Sequence, residues 1–249
     1  MTKFPRASII TVVRNDASGL ERTMDSVAAQ NYPNREYVIV DGASTDGTPE
    51  VLRRRGAEVT RWISEPDSGI FEAMNKGVRM ATGEYVCFMN AGDRFASTDT
   101  LSAMFDPPSR AELLWGDCII ESSRGEEYDC AREVLKKLYR QMTVSHQSLF
   151  ARREALLRRP FNEKLRIAAD YDFLCERLLA GATWEYRPVP VSRINATGVS
   201  ARIFRTSIRE KRDISLSRFP SRRVSILTYF FVLELYMTLK SITKTLRGR

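Results

Sequence analysis

Residues 37–48 read YVIVDGASTDGT and decide the fold class. The four apolar or aromatic residues at its start have the length and composition of a buried strand, and the turn-forming run that follows leads at Thr48 into helix-forming sequence. Upstream, the β-branched run 8–13 (SIITVV) predicts another strand, and it precedes apolar residues at helical spacing, namely Leu20, Met24, Val27 and Ala28. The chain therefore starts as alternating strands and helices.

The alternation continues toward the middle of the chain. Strands are predicted at 59–64 and 84–89, with a helix at 70–81 between them. Such spacing is typical of βαβ units in a mostly parallel sheet. An aspartate follows each of three successive strands, at Asp41, Asp67 and Asp93. Because the carboxyl ends of parallel strands meet at one edge, these acids are expected at a ligand-binding edge.

The second half of the sequence is less regular. Strands are predicted at 113–115, 118–121, 147–151 and 184–187, the last of them ending before Pro188 and Pro190. Helices are predicted at 131–141 and 168–179. Asp170 and Asp172 fall in the first turn of the second helix, where acidic side chains also suit the helix dipole.

Composition limits the class of protein. The 249 residues are 43% hydrophobic and 28% charged, which is typical of a folded domain and excludes collagen-like and disordered chains. The four cysteines form no Cys-x-x-Cys pair, and there is a single histidine. These counts predict neither a disulfide scaffold nor a zinc site, and they favour a reducing compartment.

The positive charge is concentrated at the C-terminal end. The net charge is +8, and 12 Lys/Arg against 3 Asp/Glu stand from Ala201 onward. Residues 224–239 form the most apolar stretch; as a helix it would measure about 24 Å, short of the roughly 30 Å hydrocarbon core. Cationic residues flank this stretch on both sides: Arg218, Arg222, Arg223, Lys240, Lys244, Arg247 and Arg249.

This pattern favours a helix lying on an anionic membrane surface. The alternative is a helix docked on the core or on a second copy of the chain, which would make a homo-oligomer. Nucleic acid is not expected as a partner, because its binding sites usually spread basic residues over a folded face. No signal peptide opens the chain, so we expect the protein at the cytoplasmic face of the inner membrane.

Four blocks of sequence together resemble one enzyme family. Residues 8–15 (SIITVVRN), 37–48 and 64–93 (SEPDSGIFEAMNKGVRMATGEYVCFMNAGD) resemble, in this order, the amino-terminal half of family 2 glycosyltransferases. Residues 168–173 (AADYDF) resemble the acidic motif on the acceptor side of that family. The NAGD block (90–93) and HQSLF (146–150) are most similar to the branch that builds bacterial exopolysaccharide, capsule and colanic-acid-type units.

The resemblance implies an α/β fold of the GT-A type, with a mostly parallel central sheet flanked by helices. Residues 1–200 would form the catalytic domain, with a nucleotide-sugar half at 1–95 and an acceptor half at 96–200. Residues 201–249 would form a basic, apolar helical tail for membrane association. The implied reaction is an inverting transfer of a sugar from a nucleotide diphosphate to a hydroxyl group of a polyprenyl-diphosphate-linked saccharide.

The resemblance also implies the residues of the donor site, which are Thr11, Val13, Arg14, Asp41, Asp67, Asn90 and Asp93. Asp41 would accept an N–H of the base, and Asp93 would be the ligand of Mg²⁺ or Mn²⁺, a cation that neutralises the leaving diphosphate. Asn90 stands where the family's Asp-x-Asp pattern has its first aspartate, so one carboxylate remains. UDP-sugars are the commonest donors in the family, and GDP- and dTDP-sugars are also used.

On the acceptor side, the resemblance implies Asp170 as the base that takes the proton of the acceptor hydroxyl. Ala169 replaces the glutamate that usually precedes this aspartate. Asp172 is the second candidate for the base, but capping or bracing the helix is the role that we prefer for it. His146 and Gln147, with Asp172, are expected to contact the acceptor; a structural role for the lone histidine is the alternative.

Two other functions fit parts of the sequence. A nucleotidyltransferase has a similar nucleotide-binding architecture, but it would need a Gly-rich basic loop after the first strand, where this chain has RNDA (14–17). The other is a non-catalytic, membrane-bound partner of a polysaccharide synthase that binds a nucleotide sugar. The missing acidic partners at Asn90 and Ala169 fit such a protein, whereas the presence of Asp93 and Asp170 favours an enzyme.

Overall fold

The computed structural model of the protein describes residues 4–142, 144–196 and 203–247. Its first half alternates strands and helices in the order β1 (Ala7–Val13), α1 (Ala17–Ala28), β2 (Arg35–Asp41), α2 (Thr48–Arg55), β3 (Arg61–Ser64), α3 (Ile70–Met80) and β4 (Tyr85–Phe88). The four strands pair in parallel in the spatial order β3-β2-β1-β4. The predicted βαβ alternation is confirmed.

The second half is built from shorter and more varied elements. They are β5 (Arg94–Phe95), α4 (Thr100–Phe105), β6 (Leu113–Ser122), β7 (Gly125–Asp129), α5 (Val134–Lys137), β8 (Leu149–Arg152), α6 (Arg153–Arg158), α7 (Ala169–Leu179) and β9 (Trp184–Asn195). Their strands extend the sheet to the order β3-β2-β1-β4-β8-β6-β9-β5, with β7 paired to β6.

The prediction of a mostly parallel sheet is wrong for this half. β8 runs antiparallel to both β4 and β6, and β5 and β7 are also antiparallel to their neighbours. The sequence of residues 147–151 (QSLFA) predicts a strand but carries no signal of its direction. Because β8 is reversed, its beginning lies at the edge where β1, β2 and β4 end. The reversal therefore brings residues 146 and 147 to the predicted ligand edge.

The two strands predicted at 113–115 and 118–121 form a single strand in the structure. β6 is continuous from Leu113 to Ser122, and β9 beside it runs on through Pro188 and Pro190. The register between them shifts around Asp117, which is paired with Pro190, and such an irregularity tolerates residues that lack an N–H. A Cβ at Gly116 would lie 2.4 Å from the Val189 carbonyl oxygen, so glycine allows this close approach.

The prediction of a helix over 131–141 is also wrong, because the helix in the structure is much shorter. A 3₁₀ turn covers Ala131–Glu133, and α5 ends at Lys137. Tertiary contacts replace the missing helical bonds: the Asp117 carboxylate accepts the Ala131 N–H at 2.8 Å, and the Tyr171 hydroxyl donates to the Leu138 carbonyl oxygen. Helix-forming composition was therefore overridden by contacts with distant residues.

Helices cover both faces of the sheet. On one face, α1, α2 and α4 pack on side chains that include Ile9 and Val13 of β1. On the other face, α3, α6 and α7 pack on side chains that include Ile10 and Val12. Successive residues of a strand point to opposite faces, so the apolar residues of β1 contribute to both cores.

Two C-terminal helices, α8 (Phe204–Arg218) and α9 (Arg223–Arg247), follow the sheet. α8 packs on α7, with Ile214 in the core, and α9 packs on α8 through Ile226 and Phe230. Among the residues that the structure describes, no helix is both long enough and apolar enough to cross a bilayer. The boundary predicted between residues 200 and 201 lies outside the described residues, as do the side chains of Lys240, Lys244, Arg247 and Arg249.

Candidate active site

The site is built at the carboxyl edge of the parallel strands. Asp41, the last residue of β2, is fully buried there. Its carboxylate accepts hydrogen bonds from the hydroxyls of Ser44 at 2.5 Å and Ser64 at 2.6 Å, and from the Ser44 N–H at 3.2 Å. The strand register places Ser64 directly beside Asp41. A nucleotide base could reach this carboxylate only by displacing one of these hydrogen bonds from the serines.

The side chains of Arg14 and Asp67 both lie next to Gly42. A Cβ at Gly42 would lie 2.3 Å from Oδ2 of Asp67 and 3.4 Å from Cδ of Arg14, so a side chain at this position would displace the Asp67 carboxylate. Burial raises the pKa of Asp67, and the positive charge of Arg14 opposes this shift. These two predicted donor residues thus lie together at the edge.

Thr11 and Val13 lie apart from that pair. Both side chains are buried in the core on the α1 face of the sheet. The Thr11 hydroxyl donates to the Met89 carbonyl oxygen at 2.7 Å and lies 3.0 Å from the Tyr37 hydroxyl. The alternation of β1 directs these odd-numbered side chains inward, while Arg14, just beyond the strand, is exposed.

The turn after β4 carries Asn90 and Asp93. The Asp93 N–H donates to the Asn90 carbonyl oxygen at 3.0 Å. Thr23, buried on α1, donates its hydroxyl to the Asp93 carbonyl oxygen at 2.7 Å and accepts the Gly92 N–H at 3.0 Å. Sequence reasoning missed Thr23, although a hydroxyl on the apolar face of a predicted helix is a usable signal of a polar partner.

Gln147 joins the reversed strand to this turn. Its side-chain amide donates to Oδ2 of Asp93 at 2.7 Å. Burial raises the pKa of Asp93 to about 6, although the hydrogen bond from Gln147 and the nearby His146 act in the opposite direction. Gln147, predicted on the acceptor side, therefore contacts a residue predicted to bind the donor.

His146 links the turn to α7. Its Nε2 lies 2.9 Å from the side-chain nitrogen of Asn90, and its Nδ1 lies 3.0 Å from Oδ2 of Asp170. The second oxygen of Asp170 accepts the N–H of Tyr171 at 2.8 Å. The residue predicted as the base and the turn predicted to hold the cation are thus connected through one imidazole ring.

Asp172 faces a different set of groups. Its Oδ1 accepts two hydrogen bonds from the guanidinium of Arg218 at 2.9 and 2.7 Å, and Oδ2 accepts one from Arg159 at 3.0 Å. Residues two apart on a helix point in different directions, so Asp172 is turned away from Asp170. The structure assigns it the bracing contact that the sequence left as an alternative to acceptor binding.

The segment that leads into α7 is held by a residue of α8. Ala168 precedes α7 and offers no side-chain cap. The Glu210 carboxylate instead accepts the N–H groups of Arg166, Ile167 and Ala168 at 2.8, 3.0 and 3.1 Å. These three residues lie just before the first turn of α7, and a carboxylate near the N-terminus of a helix is also favoured by the helix dipole. Glu210 and Arg218 thus fix the segment that carries Asp170.

The donor edge fits a divalent cation only in part. Within the described ranges, no three side chains of His, Cys, Asp or Glu form a metal-binding group. Asp93 offers one carboxylate, and Oδ1 of Asn90 is buried with no hydrogen-bond partner among the described residues. These are hard oxygen donors, and Mg²⁺ is commonly held by one or two protein oxygens together with substrate phosphates. The residues therefore fit a cation that the diphosphate shares.

The pKa of Asp93 predicts a pH dependence of stability. A carboxyl group whose pKa is higher in the folded state than its ordinary value of about 4 binds protons more readily when folded. The contribution of Asp93 to the free energy of unfolding should therefore fall as the pH rises from about 4 to about 6. Asp93→Asn should raise the free energy of unfolding at pH 7.5 by up to about 3 kcal/mol and leave it unchanged near pH 4. Urea unfolding at both pH values measures this, and an equal effect at both would contradict it.

The comparisons with known proteins agree with this geometry. The model of the family described as Glycosyl transferase family 2 matches residues 8–165. The chain belongs to this family. A PGL/p-HBAD biosynthesis glycosyltransferase of Mycobacterium bovis (strain BCG / Pasteur 1173P2) is 32% identical to this family 2 glycosyltransferase over 179 residues, which cover 68% of either chain.

Solved structures share the GT-A fold of family 2. Residues 1–349 of S. aureus TarS, in complex with UDP, superpose with a TM-score of 0.68 at 21% identity, covering 91% of this chain and 70% of that one. The mannosyltransferase PcManGT of Pyrobaculum calidifontis, in complex with GDP-Man and Mn²⁺, gives a TM-score of 0.64 at 19% identity over 98% of this chain and 84% of that one. The predicted family and the GT-A type of fold are confirmed.

Proposed function

We propose that this family 2 glycosyltransferase transfers a sugar, with inversion, from a nucleotide diphosphate to a hydroxyl group of a lipid-linked saccharide during assembly of a bacterial surface polysaccharide. The observation that carries the proposal is the junction of Asp170 with the Asn90–Asp93 turn through His146. A carboxylate on the acceptor side and an oxygen-rich turn on the donor side are the two parts that a single displacement needs.

In the proposed reaction, the acceptor hydroxyl attacks the anomeric carbon of the donor sugar while its proton passes to the Asp170 carboxylate. The bond between that carbon and the diphosphate oxygen breaks, and its electron pair leaves with the nucleoside diphosphate. Asp93 and Asn90 would hold Mg²⁺ or Mn²⁺, which neutralises charge on the leaving group when bound. Arg14 is exposed at the same edge and supplies a further positive charge.

UDP is the proposed donor nucleotide, with GDP and dTDP as alternatives. Structures of TarS contain UDP or UDP-GlcNAc, and that of PcManGT contains GDP-Man. The carboxylate of Asp41 does not distinguish these bases, because each of them offers an N–H group.

Thermal unfolding with UDP, GDP, dTDP, CMP and NAD, each with and without Mn²⁺, tests the proposed donor site. A ligand present at one hundred times its Kd stabilises the folded state by about 2.7 kcal/mol, which should raise Tm by roughly 5–10 °C. We expect such a shift for one nucleoside diphosphate, in the presence of Mn²⁺. No shift with any of them, or no consumption of nucleotide sugars by the folded protein supplied with a lipid-linked acceptor, would favour the non-catalytic partner instead.

The proposed site of action is the cytoplasmic face of the membrane, and the outer face of α9 supports it. Ile226 and Phe230 pack inward, whereas large apolar side chains at helical spacing are exposed: Val224, Leu227, Phe231, Val232, Leu235, Tyr236 and Leu239. Arg222 and Arg223, at the start of the helix, are exposed as well. An apolar face beside cationic residues suits the interface of an anionic bilayer, where a lipid-linked acceptor would be presented.

Sedimentation with phosphatidylglycerol vesicles tests the membrane contact. The double variant Phe231→Asp, Leu235→Asp removes two exposed apolar side chains, each contributing about 1.5–3 kcal/mol when buried, so binding should weaken at least tenfold. The double variant Thr98→Asp, Ser123→Asp introduces the same charge at exposed positions outside the two C-terminal helices and should bind like the unaltered protein. An equal loss of vesicle binding in both double variants would mean that the added negative charge, and not the loss of apolar side chains from α9, weakens binding.

A further inference from the structure

His146 is the one histidine of the sequence, and it lies between the proposed base and the donor-side turn. Both of its ring nitrogens are engaged, Nδ1 with Oδ2 of Asp170 at 3.0 Å and Nε2 with the amide nitrogen of Asn90 at 2.9 Å. The side chains of His146 and Asp170 are only 21% and 11% exposed. A ring bonded at both nitrogens has no nitrogen left for an acceptor hydroxyl, so the geometry does not favour the acceptor contact predicted for His146.

The hydrogen bonds specify one tautomer of the ring. The amide nitrogen of Asn90 can only donate, so Nε2 of His146 accepts and carries no proton. In the neutral ring the proton is then on Nδ1, which donates to Oδ2 of Asp170. With Oδ1 of Asp170 held by the Tyr171 N–H, both oxygens of the carboxylate have a fixed direction.

The same contacts orient Asn90. With its nitrogen turned to the ring, its Oδ1 is the buried oxygen that lacks a hydrogen-bond partner among the described residues. That oxygen is one of the two groups that fit the donor-side cation. One imidazole therefore sets the direction of the base on the acceptor side and of an oxygen donor on the donor side.

We propose that His146 is a positioning residue. Its Nδ1–H holds the Asp170 carboxylate in the orientation that receives the acceptor proton, and its Nε2 holds the Asn90 side chain on the donor side, so that the distance between these two groups is fixed. The proposal rests on the proposed function, because it assigns a role to a neighbour of the proposed base. It differs from a base role for His146 itself, which would require Nε2 to leave Asn90.

Three substitutions separate these roles. His146→Ala removes both contacts, His146→Gln places its amide nitrogen near the position of Nε2, and His146→Asn places its amide nitrogen near that of Nδ1. We expect His146→Ala to lower kcat by about 10–100-fold, in the range usual for partners that orient a functional group, and to raise the donor KM, because Asn90 also loses its partner. His146→Gln, whose amide group can still contact Asn90, should lower kcat to a similar extent with the donor KM unchanged. His146→Asn should recover kcat to within a few-fold, because it can still donate to Asp170.

The tautomer is measured independently of turnover. Since the chain has a single histidine, the ¹⁵N and ¹H correlations of a histidine side chain belong to His146 alone, and they should show the proton on Nδ1 at neutral pH. An Nε2–H tautomer, full activity of His146→Ala, or His146→Asn as slow as His146→Ala would each overturn the proposal. Failure of the unaltered protein to consume any nucleotide sugar is a different result, and it would overturn the proposed function together with this role.

Discussion

Asp170→Asn should lower sugar transfer by about 10²–10⁴-fold, the usual contribution of a positioned general base. Asparagine keeps the shape of the side chain, and its single oxygen can still accept one of the two hydrogen bonds, from His146 or from the Tyr171 N–H, so the fold and the donor site should be unaffected. Release of nucleoside diphosphate measures the rate, and the Tm shift with the donor nucleotide checks that the donor site is intact.

Asp172→Asn is the matched control, because it makes the same change two residues along α7. Arg159 and Arg218 then lose a charged partner, so the free energy of unfolding should fall by about 1–3 kcal/mol. The rate of transfer should stay within a few-fold of that of the unaltered protein. If Asp170→Asn transfers sugar at the full rate while Asp172→Asn does not, the base is Asp172 and the assignment made here is reversed.

Ending the chain at residue 202 should unfold it under conditions where a chain ending at Phe219 remains folded. The shorter chain loses Ile214 from the core, leaves Asp172 without Arg218 and exposes the three N–H groups that Glu210 accepts. A buried aliphatic side chain contributes about 1.5–3 kcal/mol, and an unpaired buried polar group costs about 1–3 kcal/mol. Their sum is comparable with a total stability of about 5–15 kcal/mol.

Urea unfolding of the two truncated chains measures this difference. The chain ending at Phe219 keeps Glu210, Ile214 and Arg218, so it should unfold cooperatively and still bind the donor nucleotide. It should fail to sediment with vesicles, because α9 is missing. Cooperative unfolding of the chain ending at residue 202, at the urea concentration that unfolds the full chain, would show that α8 is dispensable for the fold.

The sequence predicted the donor half well because its signals are local. β1, β2 and β4 are short apolar runs, and the turn residues between elements are strong, so element order and the positions of Asp41, Asp67 and Asp93 followed directly. The residues around the proposed base were also named from the sequence. Their mutual contacts, however, depend on the reversed direction of β8, which the local sequence at 147–151 does not encode.

The contacts that hold α7 could not be predicted in the same way. Glu210 lies 42–44 residues from the N–H groups that it accepts, and Arg218 lies 46 residues from Asp172. In the sequence, each is one charged residue among many in a basic segment. The early end of α5 and the passage of β9 through Pro188 have a similar cause, because contacts with distant strands outweigh local preference there.

The fastening of α8 to α7 has a geometric consequence for an enzyme that works on a surface. Two charged contacts, from Glu210 and Arg218, tie α8 to the helix of the proposed base, and α9 packs directly on α8. If α9 rests on a bilayer, the catalytic edge stands at a set height above the lipid headgroups. Acceptors would then be selected by how far their terminal sugar extends from the lipid as well as by the chemistry of that sugar.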